Sequence, residues 1–203
     1  GLTENTIVVF SSDHGEMFGA QGRRAKNIFY EEAARIPFLI RWPGHIPAGS
    51  VCDACLSTVD FTPTFLGLLG LSVPSRMDGI NLSHWAMGKT GPEPDAAFMQ
   101  GTGATANWST GHEWRAVRNK KYTYAKYRIA RTGADQELLF DHSADPYQLT
   151  NLISDPAHQT VLQELRNKLA EKMKSFSDTF EASTFYRDRW TDGNRIILRG
   201  ARG

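Results

Sequence analysis

Residues Thr6 to Asn27 read TIVVFSSDHGEMFGAQGRRAKN. An apolar, β-branched run ends in Ser11-Ser12, and Asp13, His14, Gly15 and Glu16 follow without a spacer. Thr6 to Phe10 has the pattern of a fully buried strand, with four of five residues apolar between polar turn formers. A chain leaving such a strand at its carboxyl end exits into a loop, which is where α/β folds place ligands. There the Asp13 carboxylate and the His14 imidazole can converge on one ion, an anionic oxygen beside a neutral ring nitrogen. Gly15 permits the close backbone approach such a turn needs. The same residues also suit a purely local turn, with Asp13 as its cap and His14 as a half-buried hydrogen bonder, and spacing does not separate the two. Lys26 follows a loop containing Gly19 and Gly22, and it reaches the strand end if that loop folds back. An ammonium beside a metal suits a tetrahedral anion such as sulfate or phosphate, whose oxygens gather charge as an ester is cleaved.

Outward from this stretch, Ile28 to Arg35 has helix-forming composition, and Pro37 to Trp42 (PFLIRW) is a second apolar run closed by Pro43-Gly44. Two buried strands flanking a helical segment predict a parallel α/β sheet. In STVDFTPTFLGLLG, Val59, Phe65, Leu66 and Leu69 form an apolar helical face, Pro63 fits an early turn and Gly70 the stop. Pro74, Asp78-Gly79 and the Gly88-to-Asp95 stretch make an irregular connection, which places a boundary near residue 95. Beyond it AAFMQG, WRAVRN, YTYAKY and ELLFD are short runs separated by turns, the texture of an antiparallel meander. Asp155 suits an N-cap with Pro156 behind it, and Val161, Leu162, Leu165, Leu169, Met173 and Phe176 recur at helical spacing. That helix is expected to cover one face of the small sheet. The expected organisation is therefore an α/β domain over 1–95, a small antiparallel sheet with a C-terminal helix over 96–180, and a tail over 181–203, extended or disordered.

Composition narrows the function classes. The 203 residues are 40% hydrophobic and 22% charged with a net charge of +1, which argues against a general polyanion binder such as a nucleic-acid protein. No apolar run approaches membrane-spanning length, and no basic region followed by an apolar signal segment opens the chain. Cys52 and Cys55 form a single C-x-x-C pair amid Pro and Gly, without the second half of a zinc site, and read as small apolar residues. Trp108, Trp114, Tyr122, Tyr124 and Tyr127, interleaved with Lys and Arg, read as core-facing strand residues rather than a nucleic-acid platform. Met87-Gly88-Lys89-Thr90 has the tail of a phosphate-binding loop, but Ser83 stands where glycine is required. There is neither a G-x-S-x-G elbow nor an H-E-x-x-H helix.

The order of blocks carries more than any one of them. TIVVFSSDHGEMFG, then GRRAKNIFYEEAARIPFLIRWPG, STVDFTPTFLGLLGL, SRMDGINL and RAVRNKKYTYAKY with ELLFDHSADPYQLTNL closely resemble, in this order, the C-terminal part of the sulfatase catalytic domain and its small subdomain, within the alkaline phosphatase superfamily. The resemblance covers roughly residues 4 to 175. It implies hydrolysis of a sulfate ester, on a sulfated sugar among other substrates, with Asp13 and His14 as metal ligands and Lys26 on the sulfate group. The implied cation is calcium, or manganese or zinc if the chain belongs with the phosphonate and phosphate ester hydrolases of the same superfamily. Glu31 and Arg35 match common family residues and read as a scaffold ion pair at helical spacing.

Two departures stand out. Gln21 occupies a position where the family often carries His, and Arg23-Arg24 one where it often carries an apolar–aromatic pair, which makes the expected substrate rim basic and suited to a polyanionic or carboxylated sugar sulfate. The family's formylglycine nucleophile arises in a C/S-x-P/A-x-R block. Cys52 and Cys55 sit in no such block; Ser72-Val73-Pro74-Ser75-Arg76 has its bare spacing, but the resemblance places the family's nucleophile N-terminal to the blocks matched here. The chain is thus expected to be inactive alone. Association with the part that carries the nucleophile, self-association through an exposed sheet edge, or a role as a non-catalytic assembly module are the corresponding alternatives.

Overall fold

The apolar run that opens the chain becomes β1 (Val8–Ser11), and it pairs with β2 (Phe38–Arg41). The computed structural model describes residues 2–102, 113–129, 131–180, 191–192 and 195–196. They divide into two units. The first comprises Gly1–Lys26, Glu32–Ala97 and Arg118–Lys120, the second Asn27–Glu31, Phe98–Val117 and Lys121–Gly203.

In the first unit β1 and β2 run antiparallel, with Val8 opposite Arg41 and Phe10 opposite Leu39, so the expected parallel pairing is overturned. The reason lies in the connection: α1 (Glu31–Ala34) is a single turn, not the helix that a parallel crossover uses. Within residues 1–203 the strand pair is covered on one face. Phe38 packs on Phe61 and Phe65 at ring distances of 4.7 and 6.4 Å, while Val8, Phe10 and Leu39 on the other face are 51%, 64% and 59% exposed. An uninterrupted apolar run hides this alternation, because both faces carry the same kind of side chain.

Phe61 and Phe65 belong to α2 (Phe61–Leu68). The 3-10 turn Thr58–Asp60 that leads into it carries a capping box, in which the Ser57 N–H donates to Asp60 Oδ2 at 2.9 Å. The other Asp60 oxygen accepts the Ile80 N–H at 2.9 Å, and Thr64 Oγ1 accepts the Leu82 N–H at 3.0 Å. A β-carbon on Gly67 would lie 2.2 Å from the Asn81 side chain, and one on Gly79 would lie 2.0 Å from the Val59 carbonyl oxygen. The loop leading to α3 (Ser83–Ala86) therefore lies directly on the helix, which buries Pro63, Thr64 and Leu68. Val59 and Leu69, expected on the apolar face, are 48% and 58% exposed, because the helix turns its polar Thr64 toward this loop. Gly70 stops the helix at φ 69°, as its position predicts.

In the second unit β3 (Ala97–Thr102), β4 (Glu113–Arg118), β5 (Tyr122–Arg128) and β6 (Asp135–Asp141) lie side by side in chain order, with β5 and β6 antiparallel from Tyr122–Asp141 to Arg128–Asp135. Trp114, Tyr124 and Tyr127 are buried, as their strand positions predict; Trp108 lies outside the described residues. Phe29 meets Trp114 edge-on at 5.8 Å, Tyr30 meets Phe140 at 5.8 Å, and the Trp114 indole N–H donates to the Asn27 carbonyl at 2.9 Å. The segment expected as helix thus splits: Phe29 and Tyr30 are core residues of this unit, and helix begins only at Glu31.

The long helix forms as its periodicity predicts. Asp155 accepts the Ala157 N–H at 2.9 Å, a tight turn follows over Pro156–His158, and α4 (Gln159–Ser175) buries Leu162, Leu165 and Leu169. Arg166 Nε donates to Glu137 at 3.0 Å, and the Tyr124 hydroxyl donates to the same carboxylate, which ties α4 to β5 and β6. The Arg166 guanidinium holds the Glu137 carboxyl below its ordinary range, while burial and that carboxylate push the Tyr124 hydroxyl well up. Of the tail, Thr191–Asp192 and Arg195–Ile196 pair as β7 and β8; its other residues lie outside those described.

Past α4, Asp178 enters the core. Its carboxylate takes two hydrogen bonds from Arg115, whose third nitrogen donates to the Gly101 and Trp114 carbonyls at 3.1 and 3.0 Å. The pair is 3% and 8% exposed. The Phe180 ring lies beneath three cations, Arg115, Lys126 and Arg128, at 5.3, 5.1 and 4.7 Å. Burial pushes the Asp178 carboxyl up, but Arg115 and the Phe180 N–H pull it further down, below the usual carboxylate range. Replacing Asp178 with Asn leaves a buried guanidinium without its counter-ion and is expected to cost about 3–5 kcal/mol, read as a fall in the urea midpoint at pH 7. Because the folded-state value is depressed, the difference between wild type and variant is full above about pH 5 and closes as pH falls through that value. A difference independent of pH would remove the ionic pair as its cause.

Candidate functional site

β1 delivers the chain to Asp13 and His14, and short local bonds fix both. Ser11 Oγ donates to the Pro37 carbonyl at 2.9 Å and Ser12 Oγ to the His14 carbonyl at 2.6 Å. Asp13 Oδ1 accepts the His14 N–H at 3.0 Å. His14 Nδ1 lies 2.7 Å from the Gly15 carbonyl, which can only accept, so this nitrogen carries the hydrogen. In the neutral ring Nε2 then holds a lone pair, and it stands 3.3 Å from Asp13 Oδ2. A metal ion or a proton between them would turn this approach into an attraction. A ring whose second nitrogen donates to a backbone carbonyl is how metal-binding histidines are oriented.

The pair is open to solvent, with side chains 84% exposed for Asp13 and 36% for His14. Desolvation pushes the Asp13 carboxyl up, but the His14 imidazole, the Asp13 and His14 backbone N–H groups and the charge of Lys26 together hold it below the ordinary range. The structure thus brings Asp13 and His14 into contact and sets the Lys26 charge where Asp13 feels it. As donors they fit a divalent ion as two members of its shell: ligands about 2.0–2.5 Å from such an ion and roughly at right angles lie about 3–3.5 Å apart. Among the described residues no group of three or more His, Cys, Asp and Glu side chains is placed to complete it.

Gly15 sets the position of the pair. Its N–H donates to the Ala33 carbonyl at 2.9 Å, and a β-carbon there would lie 1.9 Å from the Glu32 carbonyl oxygen. Glu16, which sequence reasoning passed over, holds the loop that follows: its Oε1 accepts the Ala25 N–H at 2.5 Å and the Phe18 N–H at 3.3 Å. The signal was present in a carboxylate placed at the mouth of a glycine-rich turn with N–H groups to satisfy. Elsewhere in this unit, Cys52 and Cys55 are both free; Cys52 is exposed, and burial pushes the Cys55 thiol up, away from the reactive thiolate.

A family described as N-sulphoglucosamine sulphohydrolase, C-terminal, matches residues 19–175, more than half of the chain. The chain belongs to the sulfatase family. It is 38% identical over 192 residues to an ulvan-active sulfatase of Formosa agariphila, covering 92% of this chain and 36% of that one. With an endo-4-O-sulfatase of Bacteroides thetaiotaomicron the identity is 34% over 206 residues, covering 93% and 39%. Among solved structures, BT4656 in complex with its substrate D-glucosamine-2-N,6-O-disulfate superposes with a TM-score of 0.77 at 30% identity, over 87% of this chain and 35% of that one. A phosphonate monoester hydrolase of Agrobacterium radiobacter superposes at 0.67 with 25% identity, over 98% and 40%. The fold is the C-terminal part of the alkaline-phosphatase-like α/β sheet of sulfatases together with their small sheet-and-helix subdomain. The chain spans little more than a third of the length of the curated relatives it matches.

Gly15→Ala is expected to force the Asp13–His14 turn away from α1, at about 1–3 kcal/mol, read as a lowered thermal midpoint together with a shifted His14 ring resonance. A variant with both unchanged would show that the turn does not depend on this contact.

Proposed function

We propose that these residues serve the hydrolysis of a sulfate ester on a sulfated sugar, as the C-terminal share of a sulfatase active site. The observation that carries the reading is the close approach of His14 Nε2 and Asp13 Oδ2 at 3.3 Å, with the charge of Lys26 near enough to act on Asp13. Asp13 and His14 would hold one divalent cation, calcium in the sulfatase reading. Such an ion, when bound, supplies Lewis-acid stabilisation of charge on the sulfate oxygens. Lys26 pairs with the sulfate group and offsets the charge that gathers on its oxygens as the S–O bond breaks. The Gly15 carbonyl keeps His14 in the tautomer that leaves Nε2 available, and Gly15 itself keeps the turn against α1. No nucleophile is assigned among residues 1–203: Ser72-Val73-Pro74-Ser75-Arg76 has the bare spacing of a C/S-x-P/A-x-R block, but Ser72 is an exposed residue of the loop after α2.

The sugar part of the reading is supported by the named substrates and linkages of the relatives, and by the basic pair Arg23-Arg24 on the loop beside Lys26. A second reading, phosphonate or phosphate ester hydrolysis, draws on the imidazole at position 14, which suits manganese or zinc as well as calcium, and on the likeness to a phosphonate monoester hydrolase. An ulvan-active sulfatase, an endo-4-O-sulfatase and an N-acetylglucosamine-6-O-sulfatase are 38%, 34% and 31% identical to the chain, which favours the first reading.

The purified 203-residue chain is expected to give no measurable turnover of p-nitrophenyl sulfate. The protein translated from the complete open reading frame around Gly1–Gly203 is expected to turn it over, lose that activity on chelation and recover it with calcium. Asp13→Asn and Lys26→Ala should each lower kcat/KM by about 100-fold or more, the loss of about 3 kcal/mol of transition-state stabilisation. Faster hydrolysis of a phosphonate monoester than of the sulfate would favour the second reading, and no loss in either variant would remove these residues from the site.

A further inference from the structure

Gly15 pins the turn on α1, and the two residues after it reach forward to Ala25. Glu16 Oε1 accepts the Ala25 N–H at 2.5 Å, and the Met17 N–H donates to the Ala25 carbonyl at 2.9 Å. Both backbone groups of Ala25 are therefore gripped by consecutive residues, one through its carboxylate and one through its main chain. Met17 is buried, which fixes its end of the grip. The same Glu16 oxygen takes the Phe18 N–H at 3.3 Å, and the turn between closes on itself, the Gly19 N–H donating to the Arg23 carbonyl at 2.8 Å. Ala25 is left-handed, φ 62°. A residue with a β-carbon seldom occupies that region in a free chain, and it stays there only where its surroundings impose it. Ala25 is exposed, so packing does not impose it; the two hydrogen bonds do. The residue that follows is Lys26, also exposed, whose charge reaches Asp13.

We propose that Glu16 is a positioning residue for Lys26: by holding the Ala25 N–H it keeps the peptide before Lys26 in its left-handed turn, and so keeps the ammonium directed toward the Asp13–His14 pair. This rests on the sulfatase reading above and adds to it a residue that touches neither the cation nor the sulfate. A lysine side chain is a flexible four-carbon stem with no direction of its own, so the backbone that enters it decides where the charge is aimed. Relaxation of Ala25 from φ 62° to the ordinary value near −60° would turn the chain that follows by about 120°. The bond that prevents this is charge-assisted, carboxylate to backbone N–H. Asp13 and His14 precede Gly15, and Glu16 and Met17 follow it, so one anchored glycine references both halves of the site. Without the Glu16 carboxylate, water satisfies the exposed Ala25 N–H, and the loss falls on geometry.

The test is a cycle of variants in the protein from the complete reading frame, with p-nitrophenyl sulfate as substrate. Glu16→Ala is expected to lower kcat/KM by about tenfold, the loss of one charge-assisted hydrogen bond. Glu16→Gln, which keeps an acceptor oxygen for the Ala25 N–H, is expected to stay within about threefold of wild type. In a Lys26→Ala background, Glu16→Ala is expected to change kcat/KM by less than about twofold, because the group it acts through is gone. A merely structural role would lower both backgrounds alike and would not be rescued by Gln. A Glu16→Ala loss within twofold of wild type, an equal loss with and without Lys26, or a Gln variant as slow as the Ala variant each overturns the inference and leaves the sulfatase reading in place. If wild type turns over no sulfate ester, the sulfatase reading fails, and calorimetric binding of inorganic sulfate decides the inference. Binding weakened by Glu16→Ala only where Lys26 is present then supports it, and any other pattern, absence of binding included, overturns it.

Discussion

The position of the Asp13–His14 turn depends on one contact between backbones. The Gly15 N–H meets the Ala33 carbonyl at 2.9 Å, and no side chain fits between the turn and Glu32. A backbone–backbone contact of this kind has no rotamers, so it fixes the turn more tightly than side-chain packing could. From it follow the tautomer of His14, set by the Gly15 carbonyl, and the facing of Nε2 and Asp13. The same contact sets where the loop that leads to Lys26 departs.

The two units use polar groups in opposite ways. In the first unit the Asp13–His14 pair is left open to solvent, with Nε2 and Oδ2 3.3 Å apart. In the second unit Arg115 and Asp178 are buried and saturated, Arg166 and Glu137 are tied to Tyr124, and the aromatic rings close the core around Phe29 and Leu139. Buried charges that satisfy each other hold a fold in one arrangement. Exposed acceptors that do not are available for chemistry.

Much of this was legible in the sequence. Asp155 before Pro156 and the spacing from Leu162 to Leu169 are local signals, and local signals placed α4 correctly. The adjacency of Asp13 and His14 is likewise written in the chain, since neighbours after a strand cannot be far apart. What the sequence did not carry was anything set by a distant partner. The direction of β2 depends on how 26 intervening residues fold, and the exposed faces of Val8 and Leu69 depend on which neighbours arrive. The short segment Phe29–Tyr30 looks like the start of a helix until Trp114 and Phe140 supply it with a core.

The clasp made by Asp178 and Phe180 bears on where this protein can be shortened. The helical periodicity ends with α4, and the family match stops at residue 175, three positions before Asp178. A cut at that limit would remove the counter-ion of Arg115 and the ring beneath Arg115, Lys126 and Arg128, and would strand a guanidinium inside the sheet. The indispensable C-terminal margin of the unit is therefore electrostatic, not apolar, and lies five residues beyond the last turn of its helix.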